Sequence, residues 1–132
     1  MSFLLDTDIC SAQLKNVRIV SNRFLQYGGR LYASAVTIAE LRAWLLRKKT
    51  PQRQKQAYAR LRQDLMVLDV DEGIALRAGE IAAALSDRGI ASKTPDMLLA
   101  ATALVHGLTL VTHNTRDFAN VPGLTIVDWL VP

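Results

Sequence analysis

Five short runs rich in apolar residues punctuate the chain: FLLD (3–6), LYAS (31–34), MVLDV (66–70), LTLVT (108–112) and LTIVDWL (124–130). Between them, apolar residues recur every three or four positions. The runs have the length and composition of buried strands, and the spaced stretches have a helical period. The helices also carry readable ends. Asp8 precedes a helix beginning at Ile9 as its N-cap. Thr37 to Glu40 reads T-x-x-E, a capping box ahead of Leu41, Trp44 and Leu45. Thr50-Pro51 starts a further helix, with Pro in the first position and Tyr58, Leu61 and Leu65 on one face. Glu72 to Arg88 places Ile74, Ala78, Ile81 and Leu85 on one stripe and stops at Gly89. Thr94-Pro95-Asp96 opens a helix that stops at Gly107, directly before LTLVT. Strands alternating with helices in this way predict an α/β domain, with a mostly parallel central sheet and helices on both faces.

The 132 residues, half of them apolar, suit one domain spanning 1–132 with its own core. The stretch MLLAATALVHGLTLV is interrupted by His106 and Gly107 and falls short of the ~20 residues that a membrane span needs. Asp6 breaks the N-terminal apolar run too early for a signal peptide. Cys10 is the single cysteine, so a disulfide framework is excluded and a reducing cytoplasm fits.

Charge changes the picture through its distribution. Sixteen Lys and Arg face twelve Asp and Glu, a formal net charge of +4. Eight of the cations (Arg42, Arg47, Lys48, Lys49, Arg53, Lys55, Arg60 and Arg62) fall between Leu41 and Gln63, where there is no acid. The rest of the chain is therefore net acidic. A basic face beside an acidic centre is a footprint for phosphates, although solvated helix faces would give the same count.

The acids sit at telling places. Asp6 ends the first strand, and Glu40 lies in the first turn of the helix after the second. Asp96 is in the first turn of the helix at 95–106, and Asp117 is in the loop HNTRDF after LTLVT. In a parallel sheet all four face the carboxyl edge of the strands, where ligands of such sheets bind. Each has a simpler reading alone: Glu40 as a capping-box member, Asp96 as a partner of the helix dipole, Asp117 as a turn residue. Four at one edge is a less ordinary coincidence. A divalent cation would relieve their repulsion most directly, and all-oxygen ligands select Mg²⁺ or Mn²⁺ over zinc. His106 at a helix end and His113 in the loop lack metal-ligand spacing.

These segments carry a resemblance. LLDTDIC, SAVTIAEL, PDMLLAATALVHGLTLVTHNTRDF and VPGLTIVDWL together resemble the PIN-domain ribonucleases, and within them the VapC toxins of bacterial toxin–antitoxin pairs. The resemblance implies that Asp6, Glu40, Asp96 and Asp117 hold a catalytic Mg²⁺ (or Mn²⁺), with Thr112 and Asn114 orienting the last acid or a bound water. It also implies a structured RNA substrate such as transfer or ribosomal RNA, a homodimer, and a VapB-type antitoxin whose C-terminal segment covers the active groove. Trp44, Leu45 and Leu46 are candidates for that groove or for the core. Two other readings stay open. One is an RNA-binding module without activity. The other is a haloacid-dehalogenase-type phosphatase, because Asp6-Thr7-Asp8 also reads D-x-D, with a nucleophile followed by a general acid; the late acidic pair that chemistry needs is missing.

Overall fold

The computed structural model describes all residues, Met1–Pro132. Five strands, β1 (Phe3–Leu5), β2 (Leu31–Ser34), β3 (Met66–Leu68), β4 (Thr109–Val111) and β5 (Ile126–Val127), form one sheet in the order β3-β2-β1-β4-β5. Every neighbouring pair is parallel, with Phe3 opposite both Leu31 and Thr109. Helices α1 (Thr7–Leu14), α2 (Arg18–Gln26), α3 (Ala35–Leu45), α4 (Gln52–Asp64), α5 (Glu72–Asp87) and α6 (Thr94–His106) supply the crossovers. None is long and apolar enough to cross a membrane.

The central strand explains the layering. Successive side chains of a strand point to opposite faces, and β1 is buried on both. Phe3 and Leu5 join a cluster that includes Ile9, Val20, Leu41 and Leu61 from α1 to α4. Leu4 joins the opposite cluster with Ile74 and Ile81 of α5 and Met97 and Ala100 of α6. Trp129 closes the first cluster, stacked on Tyr27 with ring centroids 5.8 Å apart and edge-on to Phe3 at 5.2 Å. That contact pins α2 and the C-terminal segment over β1. From β1 the chain runs to β2 on one side, whereas β4 lies on the other. The connections leaving β1 and β4 therefore part at the carboxyl edge, which is where a crevice opens in such sheets.

Several local expectations are corrected. Helix α1 begins at Thr7, and its N-cap is Asp6, not Asp8. Helix α3 begins at Ala35, capped by the Ser34 hydroxyl, which accepts from Val36 N at 3.1 Å. Thr37 and Glu40 are thus the third and sixth helical residues, so Glu40 lies in the second turn instead of the first and the two form no capping box. Pro51 precedes the first residue of α4 instead of occupying it. LTIVDWL pairs only at Ile126–Val127, because Asp128 Oδ1 turns back to accept from Leu130 N at 2.8 Å. Helix α2 was not expected at all. The expected stops hold: Gly89 and Gly107 sit at φ 74° and 65°, conformations open to glycine at little cost.

Candidate active site

Asp6 follows β1 directly and has extended backbone angles, so its carboxylate turns to meet the start of α1. Oδ1 accepts from Thr7 N at 2.7 Å, and Oδ2 accepts from the Thr112 hydroxyl at 2.8 Å. Thr112 follows β4, is fully buried, and its own oxygen accepts from Asn114 N at 3.1 Å. The pairing of β1 with β4 thus brings together two side chains 106 positions apart. Next to Asp6, the Thr7 hydroxyl donates to Glu40 Oε1 at 2.6 Å, tying the first turn of α1 to the middle of α3. Thr7 was missed by sequence reasoning, since only its place between two aspartates marks it.

Asp6, Thr7, Glu40 and Asn114 line one pocket of about 370 Å³. Asp6, Asp8, Glu40 and Asp96 supply the carboxylates, with Thr7, Thr37 and Asn114 beside them. Asp117 is not part of this lining. It sits on a short 3₁₀ turn, Thr115–Asp117, in a neighbouring depression that shares Asp96 and also holds Lys93 and Arg116. Of the four acids expected together, three surround one pocket and the fourth flanks it.

The carboxylates feel one another. The Asp6 carboxyl is pushed up from 3.8 to about 6, chiefly by burial, then by the Asp8 charge, against the hydrogen bonds from Thr112 and Thr7; Glu40 adds a smaller push. Asp96 is also raised, first by burial, then by Asp117, with Lys93 opposing and Glu40 adding. Burial raises Asp8 as well, against the amides of His113 and Ile9. No three of the acidic or histidine side chains are drawn together as a ready-made metal cage. The donor set nevertheless fits a hard divalent cation: every pocket donor is oxygen, and each ionised carboxylate keeps spare lone pairs. In addition, the buried Thr37 hydroxyl lines the pocket without a hydrogen-bond partner.

The neighbouring burial has a second effect. Cys10, fully buried under the site, has its thiol held well above the ordinary range by desolvation, then by Asp6 and Asp8, so it is inert as a nucleophile. His113 is fixed by its surroundings. Its backbone N donates to Asp8 Oδ2 at 3.0 Å, and its Nδ1 lies 2.9 Å from Asp128 Oδ2. Asp128 therefore ties the C-terminal segment to the loop that carries Asn114 and Asp117. Asp128→Ala should speed amide exchange at 113–117 about fivefold, as the loss of ~1 kcal/mol of local hydrogen bonding implies. Asp128→Asn, which keeps an acceptor for Leu130 N, should restore most of it. Unchanged exchange in the Ala variant would show that this link does not hold the loop.

The basic run divides in the fold. Arg42, Arg47, Lys48 and Lys49 are exposed on α3 and just beyond it. Arg53 and Arg60 of α4 line a separate groove between α2 and α4, and Arg62 donates to Leu65 O at 3.2 Å. His106 is an exposed residue at the end of α6, away from the pocket lining.

The profile of the PIN domain matches residues 3–124, nearly the whole chain. The chain belongs to the PIN-domain family. Within it, the similarity is to VapC proteins. The chain is 35% identical over 98% of both chains to the tRNA(fMet)-specific endonuclease VapC of Shigella flexneri. It is 32% identical, with the same coverage, to that of Salmonella typhimurium. Among solved structures, the DNA-bound VapBC complex from Salmonella typhimurium contains a chain that superposes with a TM-score of 0.88 at 32% identity, covering 98% of each chain. The PIN match over residues 3–124 disposes of the dehalogenase reading of Asp6-Thr7-Asp8.

Proposed function

We propose that this PIN-domain protein is a metal-dependent endoribonuclease toxin, acting in the cytoplasm on structured RNA and silenced by a VapB-type antitoxin. One observation carries the reading: carboxylates from α3, α6 and the end of β1 surround a single pocket at the carboxyl edge of the sheet. The names of the VapC relatives support the nuclease, and the VapBC complexes among the structural neighbours support the antitoxin.

In this reading Asp6, Glu40 and Asp96 hold Mg²⁺, or Mn²⁺ in its place, with Asp117 contributing from the flank. The ion, when bound, supplies a Lewis acid that polarises the scissile phosphate and acidifies a water. The chain's own residues do the positioning. Thr112 and the Thr7 amide fix both oxygens of Asp6, so that its remaining lone pairs face the pocket. The Thr7 hydroxyl holds Glu40. Asn114, anchored through its amide to Thr112, offers its side chain to the attacking water or to Asp117. In-line attack of water on phosphorus then breaks the bond to the 3′ oxygen, leaving a 5′-phosphate and a 3′-hydroxyl. No nucleophilic side chain is required, consistent with the inert Cys10. The working unit in this proposal is a homodimer, which the antitoxin extends to a larger complex.

The test is to incubate total RNA with the purified protein, with Mg²⁺ or with EDTA, and to sequence the new 5′ ends. Discrete, EDTA-sensitive cuts confined to one RNA class are expected, transfer RNA first. An absence of cuts with Mg²⁺ and with Mn²⁺ would leave a binding module in place of an enzyme.

A further inference from the structure

The pocket has two chemically different ends, and the carboxylates account for only one. Helix α3 presents Val36, Glu40 and Trp44 to it at four-residue intervals, a single stripe along the helix. Past Glu40, by about 6 Å of helix rise, the wall becomes Trp44 with Leu41 and Leu99. The facing helix behaves alike. Asp8 and Ser11 of α1 line the pocket, and Lys15, one turn further, places its ammonium 5.7 Å from the centre of the Trp44 ring. The ring is thus reachable by a flexible cation, at a separation typical of cation–π contact. Trp44 is neither buried in the core nor free, but half-buried at the mouth of this groove. Its position is set by α3 and by the Thr50 hydroxyl, which donates to Trp44 O at 2.6 Å. At the carboxylate end, one turn before Glu40 on α3, lies Thr37, almost wholly buried, with its hydroxyl unpartnered and the pocket as its outlet. A buried hydroxyl without a partner in a native fold calls for a polar group from outside.

We infer that the groove between α1 and α3 is a subsite for one unpaired nucleotide next to the scissile phosphate, with its base stacked on Trp44. An aromatic face beside a cation is what a single-stranded nucleotide needs, since every base has a π-face and carries a phosphate. Lys15, on a four-carbon stem, leaves the ring to the base and moves to the phosphate. The Thr37 hydroxyl, at the carboxylate end, donates to an oxygen of the nucleotide's phosphate. A volume of about 370 Å³, shared with the carboxylates, suits one nucleotide. The substrate would therefore be cut where a base can be splayed out, in a loop or a bulge. This inference rests on the nuclease reading above, but binding can be measured without cleavage.

The test uses full-length protein in EDTA, so that no turnover is needed. A short single-stranded oligoadenylate should quench tryptophan fluorescence in the wild type, because Trp129 is buried and Trp44 is the accessible ring. The quench should vanish in Trp44→Phe while affinity stays within about twofold, since phenylalanine still stacks. Trp44→Leu should weaken binding about tenfold, the lower range for loss of one base stack. Lys15→Gln should lower the slope of log affinity against log salt by somewhat under one. Duplex RNA of the same length should not quench. With Mg²⁺, Trp44→Leu should raise KM more than it lowers kcat. Equal oligoadenylate affinity in wild type, Trp44→Phe and Trp44→Leu would overturn the subsite, as would an equal quench by duplex. If Trp44→Leu left RNA binding intact and instead weakened antitoxin binding, the groove would belong to the antitoxin and the inference would fall. A wild type that binds and quenches but never cleaves would leave the subsite standing and remove the nuclease reading.

Discussion

Asp6→Asn should cut RNA cleavage by about a hundredfold or more and, at the same time, make the metal-free protein more stable. The two effects share one cause. The Asp6 carboxyl is raised from 3.8 to about 6 in the folded state, largely by burial and then by Asp8. The folded state therefore binds this proton more tightly than the unfolded chain. From pH ~4 to ~6 the group makes stability fall as pH rises, and above about 6 the penalty is fully present. That penalty corresponds to roughly 3 kcal/mol. The amide removes the charge but keeps only one acceptor oxygen, so it sacrifices one of the two bonds from Thr7 and Thr112, worth about 1 kcal/mol. A net gain of about 1–2 kcal/mol is expected at pH 7, shrinking to nothing or reversing by pH 4. Urea unfolding in EDTA at both pH values reads it directly. A variant equally stable or weaker at pH 7 would mean that Asp6 is already compensated by its hydrogen bonds. A variant retaining cleavage within tenfold of wild type would remove Asp6 from the metal site.

The parts of the fold legible in the sequence were those set by burial. Each apolar run became a strand, because β1 is covered on both faces and its neighbours must be nearly as apolar. Helices α5 and α6 were legible because a long stripe and a left-handed glycine stop coincide in each. What failed was local and competitive. Ser34 and Thr37 are both capping residues three apart, and the strand β2 ends at Ser34, so the earlier hydroxyl takes the cap and Thr37 is carried into the helix. Helix α2 was hidden because its cap position, Val17, makes no side-chain bond and its β-branched start, RIV, reads as extended. Tertiary contacts hold it instead, through Val20 and Phe24 on the core.

Three carboxylates of the candidate pocket were legible in the sequence, but their supports were not. Asp6, Glu40 and Asp96 each stood at a position that a parallel sheet sends to one edge. Thr7 and Asp128 could not be read this way. Thr7 matters only because α3 brings Glu40 within 2.6 Å of its hydroxyl, and Asp128 only because β5 runs beside β4 and ends near His113. Such contacts depend on strand order and register, which periodicity does not encode. Asp117 shows the same limit from the other side: the topology sends it to the right edge, and the turn at Thr115–Asp117 then sets it beside the pocket instead of within it.

That geometry predicts a graded response to metal. Mg²⁺ at ~100 times its dissociation constant should stabilise the wild type by about 2.7 kcal/mol, since it binds the folded state alone. Asp6→Asn and Asp96→Asn each remove a carboxylate lining the pocket, and each should lose most of that gain. Asp117→Asn removes a flanking charge that raises Asp96 without lining the pocket, so it should keep more of the gain than the other two. Unfolding midpoints of the four proteins at fixed ionic strength, in EDTA and in Mg²⁺, decide it. Equal responses in all four would mean the ion acts only as surface counter-charge and the carboxylates share no site. A response lost as completely in Asp117→Asn as in Asp6→Asn would mean that the turn closes on the ion, carrying Asp117 inward by way of the loop that Asp128 tethers. In that event the Asp128→Ala variant should show a weakened Mg²⁺ response too, because the tether and the ion would act on the same segment.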